Sequence, residues 1–93
     1  MVESNIEKKL AKAAKRVGGM AIKLYCPNYV GMPDRIVLIA IGKVAFVEVK
    51  APGEKPRKIQ QKRRRELEAL GFRVYVLDDE KEIGGIIDEI RAA

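Results

Sequence analysis

The sequence DRIVLIAIGKVAFVEVK, residues 34–50, decides how this chain folds. Residues 35–41 are largely β-branched and apolar on both faces, which is typical of a strand in the interior of a sheet. Gly42 and Lys43 then predict a tight turn into a second strand, residues 44–50. The stretch therefore predicts a β-hairpin at the centre of the fold.

The second strand of this hairpin carries two opposite charges on one face. Successive side chains of a strand alternate between faces, so Phe46, Glu48 and Lys50 point one way, and Val47 and Val49 point the other. Desolvating a carboxylate and an ammonium group is expensive unless they pair or bind an ion. The hairpin also brings the start of its first strand, at Asp34, beside the end of the second. We therefore expect Asp34, Glu48 and Lys50 to converge.

Two carboxylates at one sheet end offer hard oxygen ligands for Mg²⁺, an ion that keeps several waters and suits phosphate substrates. A metal-bound water is then available as nucleophile, and a lysine beside it can hold it, help deprotonate it or stabilise charge in the transition state. The alternative is a solvent-facing ion pair of Glu48 and Lys50, with Asp34 as a turn residue after Pro33. The E-x-K triplet alone favours this alternative, because such triplets are common.

The flanking sequence predicts a mixed sheet with helices. Gly18-Gly19 ends a first helix, and Gly71 occupies the C′ position of a second. Gly84-Gly85 weakens the prediction of a last helix. The connection through the second helix is long enough to place the next strand parallel to its predecessor, which gives the element order α-β-β-β-α-β-α. The further elements are a helix at 4–17, a strand at 20–25, a loop at 26–33, a helix at 56–70, a strand at 73–77 and a helix at 79–92.

Length and composition predict one domain, residues 1–93. The chain has 93 residues and 47% hydrophobic content, enough for one compact α/β domain and too little for two. It has no histidine, which excludes Ser-His-Asp and Cys-His nucleophiles, histidine metal sites and a histidine general base. Any catalysis must therefore use carboxylates, lysine or backbone groups.

The sequence also predicts a cytoplasmic protein with no membrane partner. Cys26 is the single cysteine, so neither an intrachain disulfide nor a cysteine zinc cluster can form, which fits a reducing cytosol. The longest apolar run, residues 36–41, is far shorter than the roughly 20 residues that span a bilayer as a helix. The first ten residues carry charges where a secretory signal needs an apolar core.

Positive charge is concentrated in the predicted second helix. The chain has 19 Lys and Arg against 13 Asp and Glu, a net charge of +6, and residues 55–65 alone hold seven basic and no acidic residues. We interpret this as one localised patch for a polyanion, with salt-dependent phosphate contacts and selectivity for structure more than for sequence. Aromatic residues are too few for a stacking platform, with Tyr25 and Tyr29 as the exceptions. The predicted nucleic-acid-binding residues are Lys55, Arg57, Lys58, Lys62, Arg63, Arg64 and Arg65.

The motifs together resemble a known family. Gly31-Met32-Pro33-Asp34, Phe46-Val47-Glu48-Val49-Lys50 and the later Gln60 are similar to the VRR-NUC domains, virus-type replication-repair nucleases of the PD-(D/E)xK superfamily. The resemblance covers nearly the whole chain and implies a restriction-endonuclease-like mixed β-sheet flanked by helices. It implies a Mg²⁺-dependent DNA endonuclease, with Mn²⁺ able to substitute. Asp34, Glu48 and the backbone carbonyl of Val49 would hold the metal, and Lys50 would assist the attacking water.

The resemblance also implies supporting residues. Gln60 would lie near the active site and orient a ligand, water or phosphate; the alternative is an ordinary exposed helix residue next to Gln61. An acidic residue of the first helix would lie near the metal, and Glu3 and Glu7 both remain candidates. Glu7 has a strong alternative role, because Ser4-x-x-Glu7 matches a capping box at the helix start.

Finally, the resemblance implies a substrate and a partner. Similarity to Holliday-junction resolvases suggests a homodimer that cuts junction or flap DNA in replication, repair or recombination, in a phage or bacterial setting. Tyr29, Val30 and Met32 could either cap the core or meet a second subunit. Two alternatives stay open: a non-catalytic nucleic-acid-binding domain, and a small assembly protein whose basic helix binds an acidic partner.

Overall fold

The protein is built around a four-stranded sheet in a computed structural model that describes residues 3–93. Met1 and Val2 of the predicted domain lie outside the described residues. The four strands lie in the sheet in chain order, and neighbouring strands are antiparallel except for the last two, which are parallel. This confirms the predicted element order and mixed sheet. The elements are α1 (Glu3–Arg16), β1 (Met20–Lys23), β2 (Arg35–Ile39), β3 (Lys43–Val49), α2 (Lys58–Ala69), β4 (Arg73–Leu77), a one-turn 3₁₀ helix (Glu80–Glu82) and α3 (Ile83–Ala92).

The central hairpin forms with a longer turn than predicted. In its register Arg35 lies opposite Val47 and Ile39 lies opposite Lys43. β2 therefore ends two residues earlier than predicted, and β3 begins at Lys43. Ile41 was predicted to be buried in the strand, but it lies in the turn with 92% of its surface exposed. Gly42, with φ +62°, adopts the left-handed conformation that closes this turn.

The core lies on one face of the sheet, under α1 and α3. Val37 and Val47 point from the sheet toward Ile6 and Leu10 of α1 and Ile90 of α3, and all five are almost fully buried. Burying one such side chain stabilises the fold by about 1.5–3 kcal/mol. The opposite face, which carries Phe46 and Glu48, is covered by α2 only at the β4 side. Glu48 thus lies in the sheet on the face away from the main core.

Several predicted boundaries were wrong by one or two residues. α1 begins at Glu3, β1 ends at Lys23, and α2 begins at Lys58, two residues after the predicted start. Arg57 keeps an extended backbone with ψ 163°, and its N–H donates to the side chain of Gln60, so the helix cannot begin earlier. The predicted last helix opens with the 3₁₀ turn, which begins where the carboxylate of Asp79 accepts a hydrogen bond from the N–H of Lys81. No helix within residues 3–93 is long and apolar enough to cross a membrane.

Candidate active site

Asp34 and Glu48 lie at the same end of the sheet. Arg35 pairs with Val47 in antiparallel strands. Asp34, which precedes Arg35, therefore lies opposite Glu48, which follows Val47. The Oδ2 atom of Asp34 accepts a hydrogen bond of 2.8 Å from the backbone N–H of Val49. This bond holds the Asp34 carboxylate against the end of β3, although Asp34 itself precedes β2.

Glu48 is a buried carboxylate. Only 3% of its surface is exposed, and neither oxygen has a hydrogen-bond partner within residues 3–93. The Nζ atom of Lys50 lies 3.4 Å from Oε2 of Glu48, which is an ion-pair contact, and the Lys50 side chain is only 12% exposed. The alternative interpretation, a solvent-facing ion pair of Glu48 and Lys50, is therefore wrong. Keeping a buried carboxylate ionised costs free energy unless cations close to it compensate its charge.

The negative charge of Asp34 opposes the ionisation of Glu48. Burial, followed by the negative charge of Asp34, raises the pKa of Glu48 to about 7, although the Lys50 ammonium acts in the opposite direction. Burial also raises the pKa of Asp34, against the effect of its hydrogen bond from Val49. Such perturbed carboxyl groups concentrate at functional sites. A cation between Asp34 and Glu48 would favour the ionised form of both.

We expect the metal-free protein to lose stability as the pH rises through about 7. Glu48 has a higher pKa in the folded protein, about 7, than the ordinary value of 4.5, so folding favours its protonated form. The stabilisation is complete below the unfolded pKa of 4.5 and is lost progressively as the pH rises from there through the folded pKa of about 7, a difference on the order of 3 kcal/mol. Glu48→Gln should therefore unfold at higher urea than wild type at about pH 8 in EDTA, and its stability should change less with pH. An unchanged pH dependence in this variant would contradict the prediction.

Gln60 lies in the first turn of α2, near the candidate site. Its Oε1 atom accepts a hydrogen bond of 2.7 Å from the backbone N–H of Arg57 and caps the helix. Its side chain also lines a small pocket between α2 and the sheet that Glu48 lines from the other side. The structure thus brings Gln60 near Glu48 and gives it a capping role that sequence reasoning missed. The other lining residues are Gly31, Pro33, Pro56, Gln61, Arg64, Val74 and Val76.

Both candidate glutamates of α1 lie near Asp34, but only Glu7 is in an ion pair. Burial and the charge of Asp34 raise the pKa of Glu3, and within residues 3–93 Glu3 forms no ion pair. The Oε1 atom of Glu7 lies 3.3 Å from Nε of Arg35. The capping-box alternative was wrong, because α1 already includes Ser4 and the Glu7 carboxylate is turned to Arg35. Of the two, Glu3 is therefore the residue whose carboxylate has no ion-pair partner within residues 3–93.

Arg63 ties α2 to the loop that leads into Asp34. Its Nε donates a hydrogen bond of 2.9 Å to the backbone oxygen of Val30, and its Nη1 lies 3.1 Å from Oε1 of Glu66. Its guanidinium carbon lies 3.8 Å from the ring centroid of Tyr29, whose hydroxyl donates to Glu66 at 3.2 Å. Sequence reasoning assigned Arg63 to nucleic-acid binding and missed this network. Arg63 and Glu66 form an i,i+3 pair that the sequence displays. No sequence signal could have found the contacts with Tyr29 and Val30, because these residues lie 33 or more positions away.

The rest of the predicted basic surface is open to solvent. Arg64 forms an ion pair of 3.3 Å with Glu68 one turn along α2. The other five predicted residues are exposed and form no ion pair within the part of the chain that the structure describes. Tyr29 and Val30 remain half exposed or more, and Tyr25 is 81% exposed. The five free basic residues are Lys55, Arg57, Lys58, Lys62 and Arg65.

The carboxylate pair fits a hard divalent cation. No group of three or more His, Cys, Asp or Glu side chains within residues 3–93 is arranged as a metal site. Mg²⁺ does not need such a group, because it usually takes one or two protein carboxylates and keeps several waters. The unpartnered oxygens of Glu48 and the free lone pairs of Asp34 supply that donor set.

Comparison with known proteins finds similar sequences and a similar fold. The family model of the VRR-NUC domain matches residues 1–79. The chain is 46% identical over 78 residues, 84% of each protein, to "Putative nuclease p44" of Acyrthosiphon pisum secondary endosymbiont phage 1. A solved structure described as "VRR_NUC domain" superposes with a TM-score of 0.85 at 26% sequence identity, covering 92% of this chain and 94% of that one.

Proposed function

The chain belongs to the VRR-NUC domain family and is a nuclease, and from this we propose that it hydrolyses DNA phosphodiester bonds with a divalent metal ion held by Asp34 and Glu48. The observation that carries the proposal is the buried Glu48 carboxylate, which has no hydrogen bond within the described residues and lies beside Asp34 and Lys50. This is the PD-(D/E)xK arrangement.

The metal ligands follow from the hydrogen bonding of β3. Asp34 and Glu48 would each contribute a carboxylate oxygen. The Val49 N–H points to Asp34, and in an extended strand the N–H and C=O of one residue point to the same side, so the Val49 carbonyl can contribute a third oxygen. Mg²⁺, or Mn²⁺ in its place, would supply a bound water of lowered pKa and neutralise charge on the phosphate.

The protein's own groups hold the reacting atoms. The backbone N–H of Lys50 donates a 2.9 Å hydrogen bond to the carbonyl of Leu77 in β4, which fixes the position from which the ammonium group reaches Glu48. Lys50 would hold the attacking water and stabilise charge on the phosphate oxygens. Gln60 would orient a phosphate or water through its amide nitrogen, since its oxygen caps α2. Glu3 rather than Glu7 would support the metal site, because Arg35 holds Glu7.

DNA would lie along α2. The exposed cations on its first turns stand next to the pocket that Glu48 and Gln60 line, and they would bind phosphates without reading sequence. We therefore propose selectivity for DNA structure, with junction or flap DNA as the substrate, in replication, repair or recombination. Cutting a four-way junction symmetrically needs two active sites, hence a homodimer.

An uncovered apolar face supports the homodimer. Met20 and Ile22 of β1 are 54% and 44% exposed, and they lie opposite Leu38 and Ile36 of β2, which are only partly buried. α2 covers this face of the sheet only near β4. A second copy of the chain would bury the remaining side chains. The mass of the purified protein in solution tests this point.

Cleavage of a panel of labelled DNAs tests the proposed function. Linear duplex, flap and four-way-junction DNA of equal length are incubated with the protein in Mg²⁺, in Mn²⁺ and in EDTA. We expect cleavage in either metal, none in EDTA, and preference for a branched DNA. Salt-sensitive binding to these DNAs without cleavage in any metal would instead show a non-catalytic binding domain. Neither binding nor cleavage would favour an assembly protein.

A further inference from the structure

A second basic surface lies on α1, on the outer face of the helix. Residues 8–16 contain five basic and no acidic residues. At about 100° per residue the five fall within an arc of about 120°, opposite the buried Ile6 and Leu10. Acidic residues elsewhere balance these five charges in the net charge of the chain. The prediction of one localised basic patch was therefore wrong. The five basic residues are Lys8, Lys9, Lys12, Lys15 and Arg16.

Most of these cations are free to bind. Lys9 forms an ion pair with Glu80. The other four are exposed and form no ion pair within residues 3–93. Lys9, Lys12 and Arg16 also line an open groove of about 400 Å³ between α1 and the start of α3. The surface is thus a row of cations beside a groove.

A solvated helix face does not account for this pattern. Such faces normally mix acidic with basic residues at i,i+4 spacing, and each such pair stabilises the helix by about 0.2–0.5 kcal/mol. Here Lys8 and Lys12, and again Lys12 and Arg16, are like charges four residues apart, which destabilises the helix by a similar amount. A polyanion along the helix would relieve this repulsion.

The two basic surfaces diverge from the candidate active site. α1 packs on the core face of the sheet and α2 on the opposite face. Both helices begin at the catalytic end, since Glu7 of α1 lies 3.3 Å from Arg35, the residue after Asp34, and Gln60 of α2 lines the pocket of Glu48. A straight duplex cannot lie on both surfaces, because the sheet stands between them. Two DNA arms that separate near the cut phosphate can lie one on each surface.

We propose that the exposed cations of α1 bind the phosphate backbone of a second duplex arm of branched DNA, while α2 binds the arm that is cut. The inference rests on the proposed function, since it assumes that DNA reaches the Asp34–Glu48 site. It gives a physical source for selectivity toward branched DNA: only a branched substrate contacts both helices.

Binding measurements without cleavage test this proposal. In a Lys50→Met background in EDTA, the Lys8→Gln/Lys12→Gln variant is compared with Lys43→Gln/Arg91→Gln, which removes the same charge at the far end of the sheet. Fluorescence anisotropy measures binding to a four-way junction and to a linear duplex over a range of salt. The α1 variant should bind the junction about 10-fold more weakly and lower the salt slope by about 2, with less than about twofold change for linear duplex. The control variant should change neither affinity.

Two results would overturn the proposal. Unchanged junction binding in the α1 variant would show an ordinary solvated helix face. Equal losses for junction and linear duplex would show one continuous binding surface and no second arm. Circular dichroism melting checks that both variants fold. If the parent protein binds neither DNA, the proposed function fails as well, whereas an absence of cleavage by the wild type leaves these binding results standing.

Discussion

Replacing Glu48 by glutamine should lower the affinity of the protein for Mn²⁺ at least about a hundredfold. Substitutions of groups that only support a metal ligand already lower affinity by roughly 10–100-fold, and Glu48 is proposed as a ligand itself. The amide keeps the size of the carboxylate, so the site should remain packed. Isothermal titration calorimetry with Mn²⁺, in the absence of DNA, measures the effect.

Glu82→Gln is the matched control for this experiment. Glu82 is an exposed carboxylate in the 3₁₀ turn before α3, outside the carboxylate pair. The control should bind Mn²⁺ as tightly as wild type. If Glu48→Gln binds Mn²⁺ as well as the control does, the metal is held elsewhere and the proposed ligand set is wrong.

Lys50→Met should reduce the rate of DNA cleavage by roughly 10²–10⁴ without weakening metal binding. The ammonium group lies 3.4 Å from Oε2 of Glu48, so it repels any cation bound there. Removing it should leave Mn²⁺ affinity unchanged or higher, while the attacking water loses the group that holds it. Single-turnover cleavage at saturating protein isolates the chemical step from DNA binding.

Lys62→Met is the matched control for the lysine. Lys62 is exposed on α2 and belongs to the proposed DNA surface, so this variant should bind DNA more weakly but keep its maximal single-turnover rate. Full cleavage activity in Lys50→Met would mean that the lysine only balances the charge of Glu48. Loss of Mn²⁺ binding in Lys50→Met would mean that its role is structural.

The sheet and the convergence of the carboxylates depend on local features that the sequence displays. Alternation along β3 separates Val47 and Val49 on the core face from Glu48, and the hairpin register brings Asp34 alongside. Both follow from strand geometry, which a pattern of side chains reveals. The length of the turn does not follow from the alternation of side chains. Residues 40–42 form the turn, where the two residues Gly42 and Lys43 were expected.

Features that depend on tertiary contacts were not predictable. Glu7 fits a capping box by spacing, yet its partner is Arg35, which β2 brings to it. Arg63 looks like any other cation of α2 until Tyr29 and Val30 are folded against it. The basic row on α1 was visible in the sequence, but only the placement of α1 and α2 on opposite faces gives it a meaning.

The most direct test of the central claim is the single-turnover rate at which the wild-type protein and Glu48→Gln cut a labelled four-way junction as Mg²⁺ is increased from zero. The account predicts that the wild-type rate rises with Mg²⁺ to a plateau and returns to zero in EDTA, while Glu48→Gln shows no cleavage at concentrations that saturate the wild type. Cleavage by the wild type in EDTA, or equal rates for the two proteins, would contradict a metal-dependent site built on Glu48.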